Sequence, residues 1–130
     1  MSYDRTIRLD SGFDDTVTAV RAALADQGFG ILTEIDVTAT LQAKLGHEME
    51  DYLILGACNP PLARQALEAD RSIGLLLPCN VVVRRDGDNT LVQALDPSTM
   101  VTLTCLPALE PVAAEATQRL DAALDALTRR

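Results

Sequence analysis

The hydrophobic pattern near the N-terminus predicts a strand followed by a helix. Tyr3 to Leu9 alternates along the chain with a period of two, which is typical of a β-strand. The next apolar residues are spaced by four, three and four positions, as on one face of a helix: Phe13, Val17, Val20 and Leu24. Gly28 favours the left-handed conformation that ends helices. The pattern therefore predicts a β-α unit.

A second strand and a short helix follow. Gly30 to Ile35 has the composition of a strand. Asp36 is a good N-cap for a helix through Leu41 and Leu45, which Gly46 would end. We expect the acidic run around His47 to form a solvated loop.

The middle of the chain predicts a buried strand that leads directly into a helix. The segment from Tyr52 to Cys58 is too apolar for alternation, which is typical of strands covered on both sides or by a partner. Asn59 and Pro60 then give a strong helix start, and that helix should run to about Ala69. The apolar segment Ile73 to Leu77 stops at Pro78.

The C-terminal half predicts a hairpin and a long helix. Cys79 to Arg85 is a strand pattern, Asp86 to Asn89 is a turn, and Leu91 to Leu95 would be the partner strand. Apolar residues then keep helical spacing to the end of the chain and predict a helix that covers a sheet: Leu109, Val112, Ala113, Ala116, Leu120, Ala123, Leu124 and Leu127.

These elements predict an α+β fold. The hairpin interrupts strict βαβ alternation, so we expect a two-layer sandwich with an antiparallel or mixed sheet and helices on one face. A length of 130 residues, with 48% apolar and 23% charged residues, is ordinary for one folded domain, here residues 1–130.

Charge and composition argue against several classes of partner. The net charge is −8, and the chain has 11 basic and 19 acidic residues with 3% aromatics. An acidic surface repels phosphates, and the densest basic pair, Arg84 and Arg85, is followed at once by Asp86. We therefore expect no nucleic-acid binding. No apolar run is long enough to span a membrane, so we expect no membrane partner either.

Cysteine usage suggests a cytoplasmic location. The chain has three cysteines, an odd number, and its N-terminal residues have no signal-peptide pattern. We therefore expect reduced thiols.

The candidate chemistry lies in two repeated dipeptides, Cys58-Asn59 and Cys79-Asn80. Cys58 directly precedes a predicted helix start, where free N–H groups and the positive dipole end would favour a thiolate. If the two strands are neighbours, Cys58 and Cys79 would converge on one site with Asn59 and Asn80.

Three functional interpretations of this pair remain open, beside an inert one. The two cysteines would cycle between dithiol and disulfide, supply two soft metal ligands, or leave Cys58 to bind or carry a small group alone. The inert interpretation is equally strong, because free cysteine often packs as a small hydrophobe, and Asn59 is first of all a helix cap.

A metal site is underdetermined by the residues. There is no Cys-x-x-Cys motif, and His47 is the only histidine. A structural zinc site needs four nitrogen or sulfur ligands, and Cys105 lies in a segment that we expect to pack in the interior. A site of lower coordination at Cys58 and Cys79, or an intersubunit site completed by Glu48, Glu50 or water, stays open.

Three segments resemble the domain-of-unknown-function family DUF302. They are Gly28 to Asp36, Ile54 to Pro60 with its Cys-Asn-Pro, and Gly74 to Val83 with its Leu-Pro-Cys. The resemblance covers nearly the whole chain. It implies a β-α-β(4)-α fold of the TATA-binding-protein-like group and a homodimer, with motif positions Cys58, Asn59, Pro60, Pro78 and Cys79. It implies no settled activity or cofactor.

The leading hypothesis is a small dimeric module that binds a small ligand or metal near Cys58 and Cys79. One alternative is an enzyme that uses Cys58 in redox or thiol-transfer chemistry. Another is a structural dimer with inert cysteines. We expect a dimer because an apolar strand edge, such as Val81 to Val83 or Tyr52 to Ala57, is costly to expose.

Overall fold

Five antiparallel strands form one sheet in the computed structural model, which describes residues 3–129. Their order across the sheet is β1-β5-β4-β3-β2, so the two edges are β1 and β2. The bounds are β1 Asp4–Leu9, β2 Gly30–Asp36, β3 Tyr52–Cys58, β4 Cys79–Asp86 and β5 Asn89–Leu95. All four strand pairs are antiparallel, which decides between the two sheet types that the sequence left open.

Five α-helices connect or follow the strands within the described residues. They are α1 Phe13–Asp26, α2 Val37–Leu45, α3 Pro60–Ala69, α4 Ser98–Thr104 and α5 Glu110–Thr128. Short 3₁₀ turns at Arg71–Leu76 and Pro107–Leu109 precede β4 and α5.

The helix ends follow the local signals in the sequence. Asp36 Oδ1 accepts a hydrogen bond from Ala39 N at 2.9 Å and caps α2. Gly46 ends this helix with a φ of 65°, and Gly28 adopts a φ of 84° just after α1. Both glycines occupy the left-handed region, where a side chain would be strained.

One face of the sheet packs against α1 and α5. Alternate residues of the strands point to this face, so Leu55, Val83 and Val92 are fully buried. The main cluster joins strand and helix residues, among them Val20, Leu24, Leu53, Leu55, Val81, Val83, Val92, Leu120 and Leu124. This arrangement confirms the α+β two-layer sandwich and the predicted covering role of the last helix.

A second apolar cluster lies beyond the ends of β3 and β5, near the start of β4. Residues of α3, α4, α5 and the two 3₁₀ turns form it: Leu62, Ala66, Ile73, Met100, Leu109, Val112, Ala113 and Ala116. The helices therefore extend past the sheet and enclose space at this end.

The sequence pattern did not predict α4. Cys105, the residue that follows α4, was expected in the interior. In the structure, Thr104 Oγ1 donates to Met100 O at 2.6 Å within α4, and Asp96 Oδ1 accepts from Ser98 N at 3.0 Å at its start. Cys105 follows with a φ of 57° and is exposed. The expectation for Cys105 was therefore wrong.

The two apolar runs that were expected at an exposed edge lie inside the sheet. β4, with Val81 to Val83, pairs with β3 and β5, and β3 pairs with β2 and β4. Alternate residues of both runs are buried against α1 and α5, so their apolar character reflects a covered sheet face rather than an unpaired edge.

The other face of the sheet carries half-buried side chains of both polar and apolar type. Ile54 and Val82 are cross-strand partners on this face, and Gln93 is opposite Val82. Arg84 Nε donates to Gln93 Oε1 at 2.9 Å. Arg85 instead donates to Thr90 Oγ1 at 2.8 Å, so the Arg84-Arg85 pair does not form one basic patch.

No helix among residues 3–129 combines the length and the apolar character that crossing a bilayer requires.

Gly56 allows β3 to approach its neighbours closely. A Cβ at this position would collide with Thr33 Oγ1 and would lie 3.0 Å from Pro78 Cγ. We expect Gly56→Ala to lower the free energy of unfolding by about 1–3 kcal/mol, because the packed strands must shift. Chemical denaturation measures this loss. The control is Gly74→Ala, where a Cβ meets nothing within 4 Å. Equal losses in the two variants would contradict the close-approach explanation.

Candidate functional site

Cys58 and Cys79 lie at the same end of two adjacent strands. Ala57 is the cross-strand partner of Cys79, so Cys58, the last residue of β3, is one position away from that pair. Both thiols are free and half-buried. The two strands that carry the cysteines, β3 and β4, are therefore neighbours in the sheet.

The two cysteines border a common cavity of about 310 Å³, which we call the thiol pocket. Asn59 is its other polar lining residue. The remaining wall is apolar and comes from β2, β3, the helices and the segment before β4: Phe29, Leu32, Ala57, Leu62, Ala63, Leu67, Leu77, Pro78, Met100 and Ala116. The pocket thus lies between the end of the sheet, where the main core stops, and the second apolar cluster.

Asn59 is a structural residue as well as a lining residue. It is 8% exposed, and its Oδ1 accepts a hydrogen bond from Leu62 N at 3.4 Å, as the predicted cap of α3. Its Nδ2 donates to Gln27 O at 3.4 Å, and Arg119 Nη1 donates to the same oxygen at 3.2 Å. The amide of Asn59 therefore already has partners within the protein.

Asn80 does not join the other predicted site residues. It is exposed and lies opposite Gly56 in the β3–β4 pair. Neighbouring residues of a strand point to opposite faces of the sheet, so Asn80 turns away from the side that Cys79 faces. Among the described residues it borders a different depression, on the face away from the helices, together with Tyr52 and Val82. The repeated Cys-Asn dipeptide does not produce a repeated site.

The first turn of α3 supplies no free hydrogen-bond donor to Cys58. Pro60 and Pro61 have no N–H group, Leu62 N bonds to Asn59 Oδ1, and Ala63 N bonds to Asn59 O at 2.9 Å. The expectation of free N–H groups at this helix start was therefore wrong. The two prolines gave a clear sequence signal for the start of α3, but they lack the N–H groups that would donate to Cys58.

Burial raises the pKa of the Cys79 thiol above its ordinary value, and the nearby Cys58 adds to this effect. An apolar wall disfavours the thiolate, and a second ionised sulfur would repel it. Cys79 is therefore protonated at neutral pH.

The other metal-ligand candidates lie away from the thiol pocket. His47, Glu48 and Glu50 are exposed in the loop after α2, and Cys105 is exposed after α4. Across residues 3–129, no three or more His, Cys, Asp or Glu side chains form a group that could hold a metal ion. The zinc-type and carboxylate-completed alternatives therefore have no complete ligand set within this part of the chain.

Met100 and Phe29 line the pocket, but sequence reasoning did not single them out. Met100 lies in α4, the helix that the pattern did not predict, and is 4% exposed. Phe29 follows the Gly28 turn and is 4% exposed. The only sequence signal for Phe29 was its position between the end of α1 and the start of β2.

The comparison with family models decides the family. The model described as "Domain of unknown function DUF302" matches residues 5–127. The chain belongs to the DUF302 family. A solved DUF302 structure agrees: "Crystal structure of uncharacterized conserved protein DUF302 from Bacillus stearothermophilus" superimposes with a TM-score of 0.90 at 32% identity. The match covers 96% of this chain and 98% of the other. The comparison with curated proteins finds no match.

The raised pKa of Cys79 predicts a distinctive pH dependence of alkylation in this DUF302 protein. Only the thiolate reacts, so the rate at Cys79 should rise through a midpoint above about 8.5, the value of a free thiol. Cys58→Ser should lower that midpoint, because it removes the neighbouring charge. Mass spectrometry after iodoacetamide treatment reports each thiol separately.

Exposed Cys105 is the internal control in the alkylation experiment and should react faster than Cys79. A Cys79 midpoint at or below about 8.5, the value of a free thiol, would contradict the burial argument. The same shift in the pKa of Cys79 makes the stability of the fold depend on pH. A thiol whose pKa is raised on folding favours the folded state less as pH rises above its unfolded pKa. Stability should therefore decline in alkaline solution, and less so in Cys79→Ala.

Proposed function

We propose that the thiol pocket binds a small ligand, held by hydrocarbon contacts and by the sulfur atoms of Cys58 and Cys79. The observation that carries this proposal is the pocket wall, which includes the free cysteines Cys58 and Cys79 and is otherwise almost wholly apolar. A volume of about 310 Å³ lies in the range of small-molecule sites. The ligand that fits this wall is compact and mainly apolar.

The absence of acid–base groups in the lining favours binding over catalysis. The described residues that line the pocket include no Asp, Glu, His, Lys or Arg. Nucleophilic cysteines usually rely on a neighbouring base or a set of donors. Here α3 offers no free N–H, and Cys79 is protonated at neutral pH. Thiol-transfer chemistry at Cys58 is therefore the second candidate, and inert cysteines are the third.

Reduced thiols are part of the proposal. A cytoplasmic location, as expected from the odd number of cysteines, would keep Cys58 and Cys79 available to a ligand. The proposal includes no nucleic-acid partner, because phosphates bind basic side chains and the described pocket lining has none.

Filling the pocket tests ligand binding directly. N-phenyl-1-naphthylamine, a neutral apolar fluorophore, is the probe, and its fluorescence rises on transfer from water to an apolar site. We expect saturable binding to the wild-type chain. Ala63→Phe places a ring in the pocket and should weaken binding by about tenfold or more, or about 1.4 kcal/mol.

The matched control for the filled pocket is Ala69→Phe, an exposed position on the same helix that does not line the pocket. It should bind the fluorophore like the wild type. Bound fluorophore should also slow alkylation of Cys58 and Cys79 while Cys105 reacts as before. No saturable binding, or equal binding by both phenylalanine variants, would refute a ligand site here.

We also propose that the protein is a homodimer through the sheet face away from α1 and α5. A two-fold interface brings a surface against itself, so its charges must be self-complementary. The chain is acidic overall, yet this face carries Arg8 and Arg84 beside Asp4 and Asp86. Ile54 and Val82 supply a central apolar pair. This balance of charge supports a second copy of the chain as the occupant.

Light scattering after size-exclusion chromatography tests the dimer. We expect a dimer at micromolar concentration. Val82→Asp should shift the mass to that of a monomer, because a carboxylate would be buried at the centre of the interface. Gln118→Asp, on the exposed side of α5, should remain dimeric. A monomeric wild type, or a dimeric Val82→Asp, would show that this face is not the interface.

A further inference from the structure

One cationic side chain lies beside the thiol pocket without being part of its lining. Arg119 Nη1 donates a hydrogen bond to Gln27 O at 3.2 Å, and Asn59 Nδ2 donates to the same oxygen at 3.4 Å. Asn59 belongs to the pocket wall, and the rest of that wall is almost wholly apolar. The guanidinium of Arg119 therefore lies next to the polar part of the wall.

Two features of the backbone hold Arg119 at this place. Ala116 lies one helical turn before Arg119 on α5, on the same side of the helix, and it lines the pocket. Gly28, the neighbour of the lining residue Phe29, leaves room for the guanidinium. A Cβ at Gly28 would lie 3.1 Å from Asn59 Nδ2 and 3.7 Å from Arg119 Nη1. Because Gly28 has no side chain, both nitrogen atoms can reach the same carbonyl oxygen.

Arg119 keeps hydrogen-bonding capacity for a further group. Its Nε donates to Glu115 Oε2 at 2.8 Å, and its Nη1 donates to Gln27 O. No residue between positions 3 and 129 accepts a hydrogen bond from Nη2. The side chains of Arg119 and Glu115 are 41% and 42% exposed, so a dissolved molecule can reach this ion pair. An accessible cation thus adjoins an apolar cavity.

We infer that the small ligand of the thiol pocket is an aliphatic monocarboxylic acid, whose hydrocarbon chain lies in the pocket and whose carboxylate binds Arg119. This inference rests on the proposal that the pocket binds a small ligand, and it names the chemical class of that ligand. The planar guanidinium matches a carboxylate in both charge and shape, because its N–H groups point towards the two carboxylate oxygens.

The polar atoms around Arg119 leave donors, not acceptors, for the headgroup of a ligand. Gln27 O already accepts two hydrogen bonds, and Asn59 Oδ1 accepts from Leu62 N at 3.4 Å. Arg119 has donors only, and the amide of Asn59 has a second N–H group. A headgroup that accepts hydrogen bonds therefore fits this site, and an ionised carboxylate is purely an acceptor.

Glu115 limits the strength of the contact with the ligand. Its carboxylate is bonded to Arg119 and would repel a second carboxylate at the same guanidinium. Solvent also screens the charges, because both side chains are partly exposed. The expected preference for a carboxylate over a neutral headgroup is therefore modest, about threefold in affinity.

Displacement of N-phenyl-1-naphthylamine from the full chain tests the inference. The probes are octanoate, 1-octanol and octylamine, which have the same hydrocarbon chain and different headgroups. At neutral pH, octanoate should displace the fluorophore at a concentration about threefold lower than 1-octanol, and octylamine should have no such advantage. Added salt should reduce the advantage of octanoate, because ions screen the exposed guanidinium.

Variants of the ion pair assign this preference to Arg119. Arg119→Gln should make octanoate and 1-octanol equally effective, and Arg119→Lys should keep part of the preference because it keeps the charge. Glu115→Gln should increase the preference, because the repelling carboxylate is removed. A merely structural role of the ion pair would not give opposite effects in the two glutamine variants. Circular dichroism checks the fold of each variant.

The matched controls come from a second ion pair of the same spacing. Arg64 Nε and Glu68 Oε1 are 3.0 Å apart on α3, and neither residue lines the pocket. Arg64→Gln and Glu68→Gln should leave the preference for octanoate unchanged.

The outcomes separate this inference from the wider proposal. Saturable fluorophore binding with equal displacement by octanoate and 1-octanol would overturn the carboxylate site and leave the ligand pocket in place. No saturable fluorophore binding would overturn the ligand pocket itself. A preference for octanoate that persists in Arg119→Gln, or that is lost in Arg64→Gln, would also overturn the role of Arg119.

Discussion

The pairing of β3 with β4 is the constraint on which the rest of the site depends. Leu55 opposes Val81 and Ala57 opposes Cys79, and all three apolar partners are buried under the helices. A shift of this register by one residue would turn every buried side chain to the other face. The burial of the core therefore also sets which residues meet Cys58 at the end of the strand.

The thiol pocket results from the way the helices extend past the sheet. α3 leaves the end of β3, and α4 follows β5 at the same end, so their apolar residues have no strand beneath them. The polar groups at this end bond to one another: Asn59 and Arg119 both donate to Gln27 O. The Gln27 carbonyl at this end is therefore paired, although the pocket wall beside it is apolar.

The residues that begin α3 have opposite effects on its structure and on its chemistry. Two consecutive prolines and an asparagine cap define the helix start, which stabilises the turn that places Cys58 at the pocket. These prolines also remove the N–H donors that would stabilise an anion there. The turn thus places Cys58 at the pocket without offering its sulfur atom a free N–H donor.

The sequence alone determined the local structure, because caps, turns and apolar periodicity act over a few residues. Asp36, Asn59 and the hairpin turn at Asp86 to Asn89 all behave as predicted, and together they specify the two-layer sandwich. Only tertiary structure decided the site. Strand pairing joined Cys58 to Cys79, alternation removed Asn80, and α4 brought in Met100 while leaving Cys105 exposed. These outcomes depend on contacts between residues far apart in the chain, which no local pattern encodes.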